Sequence, residues 1–349
     1  DGLCHRQKGK PSPKRVALAT VEQVLSLYQE RYFDFNVRHF HEKLQGEHGI
    51  ELSYTWVKQA LQGAGLVKKA GRRSPHRKRR PRRVMRGMML HIDGSKHQWF
   101  QDDRWHDLIV VLDDASSEIY YAQLVEEEST RTVMAALKEV IEKRGIFVAL
   151  YSDRGSHFFL TPKAGQKVDP HRPTQVGRAL QELGIRMIAA YSPQARGRSE
   201  RSFGTWQGRL PQELRTRGIT GLKQANEFLR SSYIEEFNRK FTVLPAVAGT
   251  AFVRTTRRDL EWIFSVQHER TMNRDNTVVV DHHVFQLEKT KWRHTLAGCV
   301  VTVHELLDER LAIRYGPHLI GYYDRQGRLL SEPIPGQRKK GDAKKRKIA

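Results

Sequence analysis

Between residues 20 and 66 the hydrophobic positions recur at helical intervals. Val21, Val24, Leu25 and Tyr28 fall on one face at spacings of 3, 1 and 3. A second amphipathic stretch over about 36–45 stops near Gly46 and Gly49. Ser53 is then placed to cap a third helix, whose inner face is Val57, Ala60 and Leu61 before Gly63 and Gly65 end it. Three short helices in this order fit a helix-turn-helix domain over residues 20–66, with Tyr54, Thr55, Lys58, Gln59 and Gln62 facing outward. A small bundle that only packs fits the same periodicity, so this segment alone leaves both readings open.

The pattern then changes. Apolar runs at 88–92, 108–112, 119–124 and 147–151 predict strands, and the stripe Val133, Met134, Leu137, Val140 and Ile141 predicts a helix over 130–143. Residues 160–176 carry no hydrophobic pattern and read as an inserted loop, followed by helices at about 174–183, 198–216 and 221–238. Residues 241–274 read as a connector. Five short apolar runs at 277–281, 282–287, 298–306, 310–316 and 319–323, each bounded by turn residues or charges, predict a small β-barrel over 275–332.

Composition alters this picture mainly through charge. Hydrophobic residues make up an ordinary 38%, but Lys+Arg number 61 against Asp+Glu 39, a net charge of +22. That excess favours a polyanion, because each neutralised phosphate releases counterions. A membrane surface is the competing partner, but no apolar run approaches the ~18 residues of a spanning helix. Two cysteines, Cys4 and Cys299, form neither a zinc motif nor a disulfide framework, which fits a reduced cytoplasmic setting beside the nucleoid. The bases are concentrated in a first linker over 1–19, a second over 67–87 and a tail over 333–349. Within 68–86 there are eleven Lys and Arg and no acid, and Pro75 and Pro81 prevent a continuous helix. We expect Thr55, Lys58 and Gln59 to meet base edges, and Arg77, Lys78, Arg79, Arg80, Arg82 and Arg83 to meet phosphates.

Three carboxylates carry the chemistry. The run at 88–92 leads into Asp93, and the run at 147–151 leads into Asp153. Strands apolar throughout are buried on both faces, so each aspartate is expected at the carboxyl end of a central strand, where open α/β sheets build their sites. Glu200 precedes Phe203, Trp206, Leu210 and Leu214 at helical spacing, which predicts that it shares their inward face. A buried carboxylate needs a partner, and a divalent cation shared with Asp93 and Asp153 would provide it. Gly197 is read as a point where the backbone approaches DNA or flexes. Asp113 and Asp114 are read as ending the second strand, and the run 126–128 as facing a helix N-terminus.

The segments HIDGSKHQWF, LYSDRGSHF and YSPQARGRSERSFGTWQ resemble the three catalytic blocks of the retroviral-integrase and DDE-transposase superfamily. More narrowly they resemble insertion-sequence transposases of the ISNCY type, and the likeness extends from GLCHRQKGKPS to the segment around Phe237. The resemblance implies an α/β, RNase H-like catalytic core over 88–240. Asp93, Asp153 and Glu200 would be its catalytic residues and the ligands of two Mg²⁺ or Mn²⁺ ions. It further implies cleavage at the 3′ ends of an element and joining to target DNA, by a homo-oligomer on double-stranded DNA. In that family another helix-turn-helix precedes the GLCHRQ segment. The spacing from Asp153 to Glu200 is wider than in retroviral integrases, an excess the loop at 160–176 accounts for, and the cysteines of their zinc module are absent. Two other readings stay open: a nuclease of the same fold without strand transfer, and a helix-turn-helix regulator without catalysis.

Overall fold

A computed structural model describes residues 15–69, 71, 80–161, 168–169, 171–191, 197–287 and 293–330. The chain is mixed α/β and divides into two compact units. The first comprises residues 1–84, 91–127 and 192–244, and the second residues 85–90, 128–191 and 245–349. Much of the inserted loop, most of the first linker and the tail over 333–349 lie outside the described residues. No helix among the described residues is long and apolar enough to cross a membrane.

The first unit opens with α1 (Leu18–Glu30), α2 (Val37–His48) and α3 (Tyr54–Gly63). Their starts are set locally: Asn36 Oδ1 accepts the His39 N–H at 2.9 Å, and Ser53 Oγ accepts the Trp56 N–H at 3.2 Å. Val24, Tyr28, Phe40, Leu44, Val57 and Leu61 form one buried cluster, so the three helices close over a core of their own. Strands β1 (Leu90–His97), β2 (His106–Asp113) and β3 (Ile119–Val125) follow, ordered β3-β2-β1, with β2 and β3 antiparallel. Helices α6 (Gly197–Gln207), α7 (Leu210–Thr216), α8 (Leu222–Phe228) and α9 (Ile234–Phe241) cover one face of these strands, with a π-helical turn at Leu229–Tyr233 joining the last two. Phe203, Trp206, Leu210, Leu214, Tyr233 and Phe237 pack there on Leu108, Val110, Ile119 and Leu124. The single helix expected over 198–216 is broken, because Pro211 has no N–H for a continuous ladder and instead occupies the first turn of α7.

The second unit contains α4 (Thr130–Arg144), started by a capping box between Ser129 and Thr132, and the parallel pair β4 (Ala149–Ser152) and β5 (Arg186–Ala189) around α5 (Gln175–Glu182). Gly145 ends α4 at φ 108°, and a Cβ there would come within 2.5 Å of the Val253 carbonyl oxygen. Strand β5 is short and half-exposed, too weakly patterned to read from sequence.

The C-terminal strands differ from the expected closed barrel. Residues read as connector contain α10 (Leu260–Ile263) and β6 (Val266–Thr271), and β6 pairs with β9 (Val300–Glu305). With β10 (Leu311–Tyr315) and β11 (His318–Tyr323) they make an open antiparallel sheet ordered β11-β10-β9-β6. Strands β7 (Thr277–Val280) and β8 (His283–Gln286) form a separate hairpin. Its Val278, Val280 and Phe285 stack on Val301, Val303 and Ile313, so burial is achieved by layering two sheets and no closed barrel is formed among the described residues.

Candidate active site

Asp93 does not end its strand. β1 begins at Leu90 and continues to His97, so Asp93 lies inside it, 7% exposed, between the buried Ile92 and the partly buried Gly94. The expected end at residue 92 was set by where apolar residues stop, whereas the ladder continues through polar ones. Alternation along the strand puts His91, Asp93 and Ser95 on one face.

That face meets α6. At one end of the helix Gln207 Nε2 donates to Ser95 Oγ at 2.9 Å. Near the other end, Arg198 forms an ion pair with Asp114, which also accepts from His91 Nε2 at 2.6 Å. Asp113 ends β2 as expected, accepting the N–H and hydroxyl of Ser116 at 2.9 and 3.0 Å. Asp114 does something else. It is fully buried and gathers Arg80, Arg198, His91 and, at 2.7 Å, the backbone N–H of Arg83. Burial alone would raise its pKa, but the hydrogen bonds from His91 and Arg83 and the charge of Arg198 hold the carboxyl far below its ordinary value.

Glu200 lies in the first turn of α6 and is exposed. The expected inward placement is overturned: the buried positions are Ser199, Phe203 and Trp206, so the i, i+4 row takes Ser199 inside and leaves its neighbour outside. The helix N-terminus favours the carboxylate there. Gly197 meets no described atom within 4 Å of where a Cβ would sit, so packing alone does not require a glycine.

In the second unit Asp153 follows directly on β4, whose four residues are all buried, and is itself half-buried. Its Oδ1 accepts the Gly155 N–H at 2.9 Å, and a Cβ at Gly155 would lie 2.9 Å from that same oxygen. A larger residue at 155 would therefore have to displace the Asp153 carboxylate.

The residues expected to bind DNA divide. Thr55 and Gln59 are exposed on α3 and Lys58 is half-buried, whereas Tyr54 is stacked under Arg38 at 4.0 Å. Arg77, Lys78 and Arg79 lie outside the described residues. Arg80 is engaged with Asp114, and Arg82 Nη1 reaches the Asp114 carbonyl at 3.1 Å and Ser117 Oγ at 2.8 Å, so this end of the linker is fastened to the protein. Sequence reading missed the partners of Asp114; the only signal was an acid pair where one acid suffices to end a strand.

As donors, Asp93, Asp153 and Glu200 fit Mg²⁺ or Mn²⁺, since carboxylate oxygens are the hard ligands those ions take. Among the described residues no three His, Cys, Asp or Glu side chains are gathered closely enough to hold a metal. Like charges raise the energy of any such cluster that lacks a cation.

No family model matches the chain. By sequence it is similar to "Putative transposase y4bF" of Sinorhizobium fredii (strain NBRC 101917 / NGR234), with 32% identity over 338 residues, covering 95% of this chain and 73% of that one. "Transposase for insertion sequence IS1202" of Streptococcus pneumoniae is 29% identical over 283 residues, 68% of this chain and 60% of the relative. Among solved structures, the simian T-cell lymphotropic virus intasome in complex with PP2A regulatory subunit B56 gamma matches 74% of this chain and 86% of that chain, at 14% identity and a TM-score of 0.36. The HTLV-2 integrase catalytic core domain in complex with magnesium (trimeric form) matches 41% and 82%, at 15% identity and 0.32. Likeness that loose carries no inference about chemistry.

Proposed function

This chain belongs to the transposases, and on that premise we propose that it is one of the DDE and integrase type, which binds the terminal repeats of a mobile element, cleaves DNA at the 3′ ends and joins those ends to target DNA. Asp93, Asp153 and Glu200 are the catalytic carboxylates in this reading and hold two Mg²⁺ or Mn²⁺ ions. When bound, such ions activate an attacking oxygen and stabilise a departing one in a displacement at phosphorus. The carboxylates supply the hard donors, and strand β1 and the pinned helix α6 would orient Asp93 and Glu200. The observation that carries the reading is the attachment of α6 to β1 at both ends, through Arg198–Asp114–His91 and Gln207–Ser95, which sets the helix of Glu200 beside the strand of Asp93.

The finer architecture belongs to the same proposal. Three consecutive strands ordered β3-β2-β1, then a helix and a parallel pair β4-β5, support an RNase H-like core. Three helices, the second and third capped by Asn36 and Ser53, with Thr55 and Gln59 exposed support a helix-turn-helix reader, with Lys58 beside them; of the basic run, Arg77, Lys78, Arg79 and Arg83 are the candidates for phosphates, since Arg80 and Arg82 are engaged at Asp114. We place the active form on double-stranded DNA as a homo-oligomer, since two element ends must be joined to one target.

The deciding experiment incubates the protein with Mg²⁺, labelled element ends and a plasmid, then sequences the products. Joined ends at a regular stagger are expected. Cleaved but unjoined ends would mean a nuclease of the same fold, and binding without either product would mean a regulator.

A further inference from the structure

We propose that Asp114 is a positioning residue for the active site: by clamping Arg198 it fixes the first turn of α6, and with it the direction in which Glu200 points relative to Asp93. The inference rests on the reading of Asp93 and Glu200 as metal ligands, and it adds a residue that the three acidic blocks do not contain.

Asp114 is not needed to end β2, because Asp113 already does so through Ser116. Its carboxylate is 0% exposed, and taking a charge out of water costs several kcal/mol unless it is fully paired. The pairing is drawn from three segments far apart in the chain. Arg80 and the N–H of Arg83 come from the end of the basic linker, His91 from β1 and Arg198 from α6. Arg198 is held more than once: beyond the carboxylate, its Nη1 donates to the Asp114 carbonyl at 3.1 Å and its Nη2 to the Arg80 carbonyl at 3.3 Å.

Two of these partners adjoin the proposed ligands. His91 shares a strand face with Asp93, and Arg198 is two residues before Glu200 in the same helical turn. Each helical residue turns the side-chain direction by ~100°, so a helix free to roll about its axis would swing Glu200 widely. Phe203 and Trp206 fix the roll from below, Gln207 holds the far end on Ser95, and the Asp114 clamp holds the near end. The same carboxylate fastens the linker, so the arrival of the DNA-binding segment and the alignment of α6 share one anchor.

The test compares the full-length protein with Arg198→Gln, Arg198→Lys and Asp114→Asn, using Glu200→Gln as reference. Hydrogen exchange of amides 199–203 reads α6 directly, and the Mn²⁺ concentration for half-maximal joining reads the site. Arg198→Gln should speed exchange in 199–203, leave the core amides of β2 unchanged, and raise the Mn²⁺ midpoint about 10–100-fold, the usual cost of losing a group that orients a ligand. Arg198→Lys should recover part of both effects, because it keeps the charge but not the fork. Wild-type exchange and midpoint in a folded Arg198→Gln would overturn the inference, even if Asp114→Asn fails to fold. Should Glu200→Gln join DNA normally, the ligand reading fails instead, and faster exchange in Arg198→Gln would still support the clamp as a device of the fold.

Discussion

Arg209 grips Glu42 through two parallel hydrogen bonds of 2.8 and 2.9 Å, fastening the second helix to the residue just before α7. The pair is part of a charged seam within the first unit. Lys240 also reaches Glu42 at 3.0 Å, Arg215 grips Asp34, and His39 and Lys43 meet the buried Glu213. The helical domain is thus tied to α7 and α9 by a run of ion pairs.

This seam makes stability depend on acidity. Burial opposes ionisation of Glu42, but the hydrogen bonds and charges of Arg209 and Lys240 prevail and hold its pKa down to about 2, against 4.5 unfolded. A carboxyl depressed by folding contributes stability above its unfolded value and loses it as pH falls from about 4.5 towards 2. Allowing for partial solvent screening, the contribution is on the order of 1–2 kcal/mol. Urea unfolding at pH 7 and at pH 3 should show a larger drop for the wild type than for Glu42→Gln. Identical drops would remove Glu42 from the seam's energetics.

Asp153→Asn should leave DNA binding within about twofold while lowering cleavage and joining by at least ~10²–10³-fold, the scale of losing one charge-stabilising group in a transition state. Gel-shift and strand-transfer assays on the same preparation check this. Joining retained in Mg²⁺ would displace Asp153 from the site.

Base reading and phosphate binding should separate. Neutralising Arg77, Lys78 and Arg79 together should weaken binding to every sequence and flatten the salt slope by roughly 2.7, at about 0.9 per lost contact. Arg80 should behave differently, because its guanidinium is committed to Asp114: Arg80→Gln should lower the melting temperature more than it alters the slope. Gln59→Ala should erode preference for the element's end with the slope intact. A salt slope unmoved by the triple variant would argue against a linker that tracks DNA.

If recognition and catalysis can come from different subunits, a Glu200→Gln protein mixed with a folded Lys58→Ala/Gln59→Ala protein should restore joining that neither gives alone. Titrating the two at fixed total concentration should give a maximum near equal amounts. No recovery at any ratio, with both bound as monomers by light scattering, would exclude a shared assembly.

Much of this protein was written locally. The caps at Asn36, Ser53 and Ser129, the stripe of α4, the strands around 108–124 and the placement of Asp153 after a buried strand follow from hydrophobic period and turn chemistry, which act over a few residues. The three acidic blocks pointed correctly to the transposases. Tertiary structure decided the rest: that Glu200 is exposed while Ser199 is buried, that β1 runs on past Asp93, and that the C-terminal strands stack as two sheets. It also decided which cations serve which acids. Asp114 meets Arg198 across 84 positions and Glu213 meets His39 across 174. Periodicity records which way a side chain faces on its own element, but a carboxylate carries no mark of the cation it will meet, because that depends on which elements pack together and how much water they exclude.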